Sequence, residues 1–311
     1  MSNLSLRYNR PTVTDGTWTV RRLLEWTTPF FTRKDVDTPR LSAELLLAHV
    51  LSIPRIKLYT DYERVLSEAE LAQYRDLVRR AAEQEPVAYL TGRVHFFNLE
   101  FELTRDVLIP RPDTETLVEN AIRIARAQAT WTHPRVLDLC TGSGCVAAAV
   151  AANLRTARVV ATEISPAAAS VARRNFQRLG LEDRVTGLEG DLFAALDSFH
   201  EQKEFHLILA NPPYIPSGQI SQLDRSVRDY EPHLALDGGP DGLNFHRRIW
   251  EQAPTMLGGE GQVLLEIAFD QGPAALAAVA DYPLFAEPRI LKDYGGRDRV
   301  VAAEVKKGLR V

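Results

Sequence analysis

The sequence predicts an α/β chain in which a doubly wound, mostly parallel sheet is preceded by a small all-α helical bundle and a β-hairpin connector. Three observations carry this. From residue 113 onward, short β-branched runs alternate with helical patterns, as βαβ units require. From Thr19 to about Glu85 the apolar residues recur at helical spacing instead. Between these regions RVHFFNLEFELTRDVLI, residues 93–109, is aromatic, β-branched and partly alternating, which suits a hairpin. A length of 311 residues accommodates about two domains. The expected division is 1–87 for the helical domain, 88–112 for the connector and 113–311 for the sheet domain.

Residues 1–16 are polar and turn-rich and are expected to be mobile. Leu23, Leu24, Trp26 and Phe30 open the first helical stripe. Leu41, Leu45, Leu46, Ala48, His49 and Leu51 form the second, and Leu71, Tyr74, Leu77 and Val78 the third. Pro29, Pro39, Pro54 and Pro86 stand where these helices are expected to stop, and the apolar faces, His49 included, are expected to pack on one another. After the hairpin a helix is expected from Asp113 to Gln128. Strands and helices then alternate: VLDL (136–139), a helix through Ala152, RVVAT (158–162), a helix through Gly180, VTGLEG (185–190), HLILA (206–210), a helix near Leu243 to Met256, and QVLLEI (262–267).

Composition narrows the function. Hydrophobic residues are 45% and charged residues 25%, ordinary values for a globular chain and against a disordered or fibrous one. There are 37 basic and 41 acidic side chains, a net of −4, whereas proteins that live on nucleic-acid backbones carry a basic surplus. No direct nucleic-acid binding is expected. The two cysteines, Cys140 and Cys145, are too few for a disulfide framework or a four-ligand zinc site, so no metal is expected and a reducing, cytoplasmic setting fits. No apolar run reaches the roughly 20 residues of a membrane span, and the polar start lacks the core of a secretory signal.

VLDLCTGSGC places a strand, a loop with Gly142 and Gly144, and an alanine-rich helix in the order of a nucleotide-cofactor pocket. GSGCVA also satisfies the dinucleotide pattern, and Glu163 about 20 residues on could take ribose hydroxyls, so a dehydrogenase is a competitor. Asp138 argues for a different ligand. At the strand end beside the glycines it would repel a pyrophosphate and attract a cation, and S-adenosyl-L-methionine carries a sulfonium and an ammonium but no phosphate. The plain alternative is a carboxylate that caps the helix. Glu163 and Asp191 follow successive strands, where two acceptor-only groups suit a ribose diol and an adenine amino group; singly, either could be a surface acid.

LILANPPYI puts Asn211, Pro212, Pro213 and Tyr214 directly after the fourth strand. Adjacent prolines stiffen the turn and remove competing N–H donors. A planar NH₂ group has two hydrogens to place; Asn211 Oδ1 and the Pro212 carbonyl can accept one each, turning the nitrogen lone pair toward an incoming methyl. Catalysis would then be mostly positioning. Tyr214 offers a flat face to a planar amide or base.

With these residues in place, the chain resembles the protein-(glutamine-N5) methyltransferases that modify peptide-chain release factors. The resemblance runs from about Thr19 to Ala303 through EPVAYLTG (85–92), FFNLEF, LIPRPDTE (108–115), LDLCTGSG, NPPYI, YEPHLALDGGPDGL (230–243) and GGRDRV (295–300). It implies a Rossmann-like methyltransferase using S-adenosyl-L-methionine, with S-adenosyl-L-homocysteine as product and a release factor as protein substrate, gripped in part by the helical domain. It further implies cofactor contacts from Cys140, Thr141, Gly142, Ser143 and Gly144, from Glu163 to the ribose, from Asp191 and Leu192 around the adenine, and from Asn211. Asn211 to Tyr214 would hold the substrate glutamine, with Asn211 and Pro212 at the reacting nitrogen. Departures are Cys140, commonly glycine, Glu163, commonly aspartate, which would set the ribose slightly farther from the strand end, and His95, often an acid. Ribosomal-protein glutamine methyltransferases and adenine-N6 DNA methyltransferases share the Asn-Pro-Pro-Tyr turn and remain alternatives, as does a binding module on an inactive fold. In LIPRPDTE, Asp113 or Thr114 is expected to cap the next helix, and Arg111 to pair with an acid or help form a lid over the cofactor. Asp241 is a further candidate cap, and His206 is read as packed rather than ligating.

Overall fold

A computed structural model describes residues 17–199 and 204–306; the expected mobility of residues 1–16 lies outside them. The chain divides into two compact units, the first ending at Thr91 and the second beginning at Gly92.

The first unit is helical: α1 (Val20–Thr32), α2 (Pro39–Leu51), α3 (Lys57–Thr60), α4 (Glu68–Ala82) and α5 (Val87–Thr91). Thr19 caps α1, and a reciprocal Ser67–Glu70 capping box opens α4. Leu24, Phe31, Leu46, Leu47, Leu58 and Tyr74 are fully buried, and the Tyr74 hydroxyl donates to Thr27 Oγ1 at 3.1 Å. Pro29 lies inside α1 rather than ending it, whereas Pro39 opens α2 at the position where a missing N–H costs nothing. Trp26, Leu41, Leu45 and His49, expected in the core, are exposed. Leu41, Leu45 and His49 are spaced four apart, so they form one ridge of α2, and the ridge carrying Ala43, Leu46, Leu47 and Val50 turns inward in its place.

Two acids of this unit, Glu44 and Glu85, are buried among its described residues. Glu44 on α2 accepts from Arg40 Nε at 2.6 Å, Arg55 Nη1 at 2.8 Å and the Tyr59 hydroxyl at 2.7 Å. Burial pushes its carboxyl up, but the hydrogen bonds from Tyr59, Arg55 and Arg40 outweigh burial and leave it below its ordinary value. Because the folded state holds the ionised form, this stabilisation is present above the unfolded value and is lost as pH falls through the folded one. Glu44→Ala is expected to cost about 2 kcal/mol in urea unfolding at pH 7, with the gap to wild type closing toward pH 3. A gap that does not change with pH would contradict this account.

The second unit opens with a hairpin, β1 (Arg93–Phe96) and β2 (Leu99–Glu102), joined by Phe97 and Asn98. Both turn residues have positive φ, as a two-residue turn matched to strand twist requires. The hairpin packs with the sheet domain instead of standing apart: Asn175 on α8 (Pro166–Arg178) accepts from Glu102 N at 2.8 Å and donates to Glu102 O and Ser143 O.

A seven-stranded sheet then forms from β3 (Arg135–Leu139), β4 (Arg158–Glu163), β5 (Val185–Glu189), β6 (Phe205–Ala210), β7 (Leu257–Glu266), β8 (Phe285–Lys292) and β9 (Asp298–Val305), in the order β5-β4-β3-β6-β7-β9-β8. The first five are mutually parallel, and β9 runs antiparallel between β7 and β8. Successive residues of β6 face opposite layers. Leu207 and Leu209 join the cluster under α6 (Glu115–Ala127), α7 (Cys145–Asn153) and α8; Ile208 and Ala210 join the one under α10 (Asn244–Gln252) and α11 (Gly272–Ala280). His206 is packed as expected, its Nδ1 accepting from Arg135 N at 2.9 Å and its ring against Trp131. Among the described residues no helix is long and apolar enough to cross a membrane.

Candidate active site

Strand order reverses beside β3, since β4 lies on one side of it and β6 on the other. Ligand crevices open at the carboxyl ends of strands at such a point. Here the crevice is a cavity of about 360 Å³ in the second unit, lined by Asp138, Cys140, Thr141, Gly142, Ser143, Glu163, Asp191, Leu192, Asn211 and Pro213 of the expected set. Gly144, Pro212 and Tyr214 are not among its lining residues.

Asp138 is buried near the end of β3. Its Oδ2 accepts from the Thr141 hydroxyl at 2.5 Å and from Ala147 N, in the first turn of α7, at 3.1 Å. It therefore fastens the glycine loop to the helix start, as the capping alternative supposes, while also facing the cavity. Burial pushes its carboxyl up to about 7, with the Thr141 and Ala147 hydrogen bonds opposing and Glu163 adding to the rise. The two glycines do different work. Gly142 (φ +55°) has open space where a Cβ would stand, whereas a Cβ on Gly144 (φ +82°) would lie 2.5 Å from the Phe176 ring, so this glycine serves helix packing. Cys140 itself sits at φ +56°, a conformation that glycine adopts without strain.

Glu163 ends β4, buried, and its longer side chain folds back on the loops: Oε2 accepts from Gly142 N and Oε1 from Ser165 N, each at 2.9 Å. Each oxygen keeps a second lone pair. Asp191 is not bare, since Arg248 Nη2 on α10 reaches its Oδ2 at 2.6 Å and the guanidinium also lies over the Phe245 ring. Arg248 and Phe245 also line the cavity, and no sequence motif marks them.

Around the Asn-Pro-Pro-Tyr turn the separate sequence motifs converge. Asn211 Nδ2 donates to the Thr114 hydroxyl at 3.2 Å. Thr114 makes no capping hydrogen bond to α6, and Asp113 pairs with Arg299 at 3.1 Å rather than capping. The cap fails because a 3₁₀ turn, Pro112–Thr114, leads directly into α6 and leaves both side chains free for tertiary partners. Arg111 is paired with the buried Glu231, which also accepts from Ile109 N at 3.3 Å, so LIPRPDTE is clamped to the segment that follows Tyr230. Arg299 of GGRDRV holds Asp113 and also Asp293, at 3.3 Å. Asp241 does not cap the next helix, which begins at Asn244 behind Leu243; its Oδ1 instead accepts from Leu243 N at 3.1 Å within the preceding turn.

The DGGPDGL segment supports the turn from below. Ile215 N donates to Leu236 O and Gly238 N to Ile215 O, while Gln271 Nε2 holds the Tyr214 carbonyl at 2.9 Å. Gly242 has φ +79°, and a Cβ there would overlap the Tyr214 carbonyl oxygen. Gly242→Ala is expected to destabilise the protein by about 2 kcal/mol and to lower turnover at least tenfold by displacing the turn. A thermal melt paired with a rate measurement checks both; wild-type turnover would contradict the supporting role.

The strand order, the acidic cavity at the switch point and the polar turn after β6 together define a Rossmann-like methyltransferase. Comparisons narrow this. Residues 22–92 match the family model described as PrmC N-terminal domain, and residues 118–238 the one described as Methyltransferase small domain. The chain is 41% identical over 288 residues to the release factor glutamine methyltransferase of Geobacter sulfurreducens, covering 93% of this chain and 97% of that one. To the enzyme of the same name from Rhodopirellula baltica it is 38% identical over 294 residues, covering 94% and 98%. It belongs to the release factor glutamine methyltransferase family. The hMettl16 catalytic domain, in complex with the MAT2A 3'UTR hairpin 6, shares the fold at 16% identity and a TM-score of 0.52, covering 74% of this chain and 84% of that one.

Proposed function

We propose that this chain transfers a methyl group from S-adenosyl-L-methionine to the side-chain amide nitrogen of a glutamine in peptide-chain release factors. The observation that carries this reading is the Asn211 side chain. It lines the acidic cavity at the end of β6, and its Nδ2 is engaged by Thr114 at 3.2 Å, which leaves Oδ1 as the acceptor for an incoming amide.

The cavity suits the cofactor. Its strand ends contribute Asp138 and Glu163, which favour a cation over a pyrophosphate, while Asp191 is balanced by Arg248; Glu163 has two lone pairs unspent for a ribose diol, and Gly142 leaves room beside them. S-adenosyl-L-methionine, when bound, supplies an electrophilic methyl on sulfur. Asn211 Oδ1 accepts one hydrogen of the glutamine NH₂. The Pro212 carbonyl, in a turn whose next residue is also proline and has no N–H, accepts the other. So held, the nitrogen presents its lone pair along the line of transfer, a gain in orientation rather than in basicity. As the new N–C bond forms and the methyl–sulfur bond breaks, with S-adenosyl-L-homocysteine as the neutral leaving group, the nitrogen becomes cationic, and its proton leaves to water. Pro213 and Tyr214 shape the turn against the substrate side chain, and the helical unit contributes grip on the protein substrate.

A competition assay tests the substrate class. With labelled cofactor, label is expected in wild-type release factor, to be absent from a factor whose target glutamine is replaced by alanine, and to be absent from duplex DNA. Label in the DNA alone would overturn the reading.

A further inference from the structure

Glu266 is a buried acid that the reaction as described does not use. It ends β7 one step beyond the Ala210–Leu265 pair, and so sits beside the start of the Asn-Pro-Pro-Tyr turn on the neighbouring strand. It is fully buried. Oε1 accepts from the Tyr214 hydroxyl at 3.3 Å, while Oε2 is enclosed with no hydrogen-bond partner among the described residues. Burial pushes the carboxyl up to about 7, and the adjacent Thr114 hydroxyl and Arg299 act in the opposite direction. Thr114 is itself buried, and its oxygen takes the hydrogen bond from Asn211 Nδ2 at 3.2 Å. Accepting that bond leaves the hydroxyl proton of Thr114 to be donated, and the Glu266 carboxylate, whose charged form Thr114 favours, keeps one oxygen that no donor reaches among the described residues.

We propose that Glu266 is a positioning residue that sets the direction of a hydrogen-bond relay, Asn211 amide to Thr114 hydroxyl to Glu266 carboxylate, and so obliges Asn211 to present Oδ1 to the substrate. The proposal rests on the amide-methylation reading above. An asparagine amide has nearly the same shape in either orientation, so only its hydrogen-bond partners decide which end faces the cavity. Above about pH 7 the Glu266 carboxyl is ionised and can only accept. Thr114 has one proton; once it is given to Glu266, Thr114 can only accept from Asn211, and the NH₂ end must turn toward it. A flipped Asn211 would set its own NH₂ against the NH₂ of the substrate. Through its second oxygen Glu266 also holds the Tyr214 hydroxyl, so both ends of the turn share one anchor.

The test uses the full chain and four variants: Thr114→Val, Thr114→Ser, Glu266→Gln and the double variant Thr114→Val with Glu266→Gln. Valine keeps the shape of threonine and removes only the hydroxyl. Both Thr114→Val and Glu266→Gln are expected to lower kcat about tenfold or more on a release factor, with the cofactor Kd within about twofold of wild type by calorimetry. Thr114→Ser restores most of the rate, and the double variant is no slower than the slower single one, because both break the same relay. A second readout needs no substrate: by NMR, the Asn211 Nδ2 protons exchange at least about tenfold faster in Thr114→Val and Glu266→Gln than in wild type. Unchanged exchange in both variants, multiplicative losses in the double variant, or a Thr114→Ser as slow as Thr114→Val would overturn the relay. If Glu266→Gln does not fold, the rates and exchange of the two Thr114 variants are sufficient to support or overturn it. Wild-type protein with protected Asn211 protons but no transfer to a release factor would overturn the substrate reading and leave the relay standing.

Discussion

Replacing Asn211 with alanine is expected to lower kcat by about 10² to 10³ while leaving cofactor affinity within about threefold. The size follows from what the residue does. Nothing in the turn moves a proton in the rate-limiting sense; its task is to hold a planar nitrogen whose lone pair is otherwise delocalised, and Asn211 Oδ1 is the acceptor set at the cavity edge by the bond from Nδ2 to Thr114. Removing it frees the substrate amide to rotate and also strips Thr114 of its donor. Asn211→Asp separates these effects, because its acceptor-only side chain can still take a hydrogen of the substrate amide but has no NH₂ for Thr114. An intermediate rate is expected for it. Single-turnover measurement distinguishes the cases, and an Asn211→Ala rate within threefold of wild type would show that the substrate is held elsewhere.

Asp138→Asn is expected to raise the cofactor Kd by about 10- to 100-fold. The carboxylate takes two donors on one oxygen, Thr141 Oγ1 and Ala147 N, and faces the cavity at the point where β3 meets the glycine loop. The change removes the charge that a cationic ligand meets and gives the site an NH₂ group to place. The pH dependence carries a sign that can be checked. Burial raises the free protein's Asp138 carboxyl to about 7, and a bound cation favours the ionised form and lowers that value. Affinity is therefore highest above pH 7 and falls as pH drops through it, by at most tenfold per pH unit. Calorimetry between pH 8 and 6 should show this slope in wild type and a much flatter one in Asp138→Asn. S-adenosyl-L-homocysteine, without the sulfonium, should show less of it; equal slopes for both proteins would remove Asp138 from the electrostatics of the site.

Much of this arrangement is legible in the residues, and where the reading fails the causes are physical. The parallel strands β3, β4 and β6 are readable because each is buried on both faces and is rich in aliphatic side chains, and they fall where VLDL, RVVAT and HLILA predict them. β8 carries no such mark. FAEPRILK carries Pro288 and three charged side chains, which a central strand could not tolerate but an edge strand can, and β8 is the edge of this sheet. In the bundle, spacing identifies the helices correctly but not which ridge of α2 turns inward, since leucines stand on both ridges.

At the site, the glycine loop, Glu163, Asp191 and Asn211 are visible because strand ends deliver them in order. Their partners are not. Thr114 lies 97 residues from Asn211, and Glu266 lies 52 from Tyr214, so no local pattern joins them. A signal exists all the same: an acid closing the apolar run QVLLE has no solvent to face unless the strand ends at a polar site. Arg248 pairing with Asp191 carries no comparable mark, because an arginine on an amphipathic helix is most often a solvated one.

The central claim is that the turn after β6 holds a glutamine amide for methylation, and peptide mass spectrometry of a release factor incubated with enzyme and cofactor tests it most directly. The expected result is a single methyl group on the side-chain nitrogen of one glutamine, nearly abolished with Asn211→Ala enzyme at equal cofactor occupancy. A methyl group on any other residue, or an unmodified factor in the presence of enzyme that binds the cofactor, would contradict it.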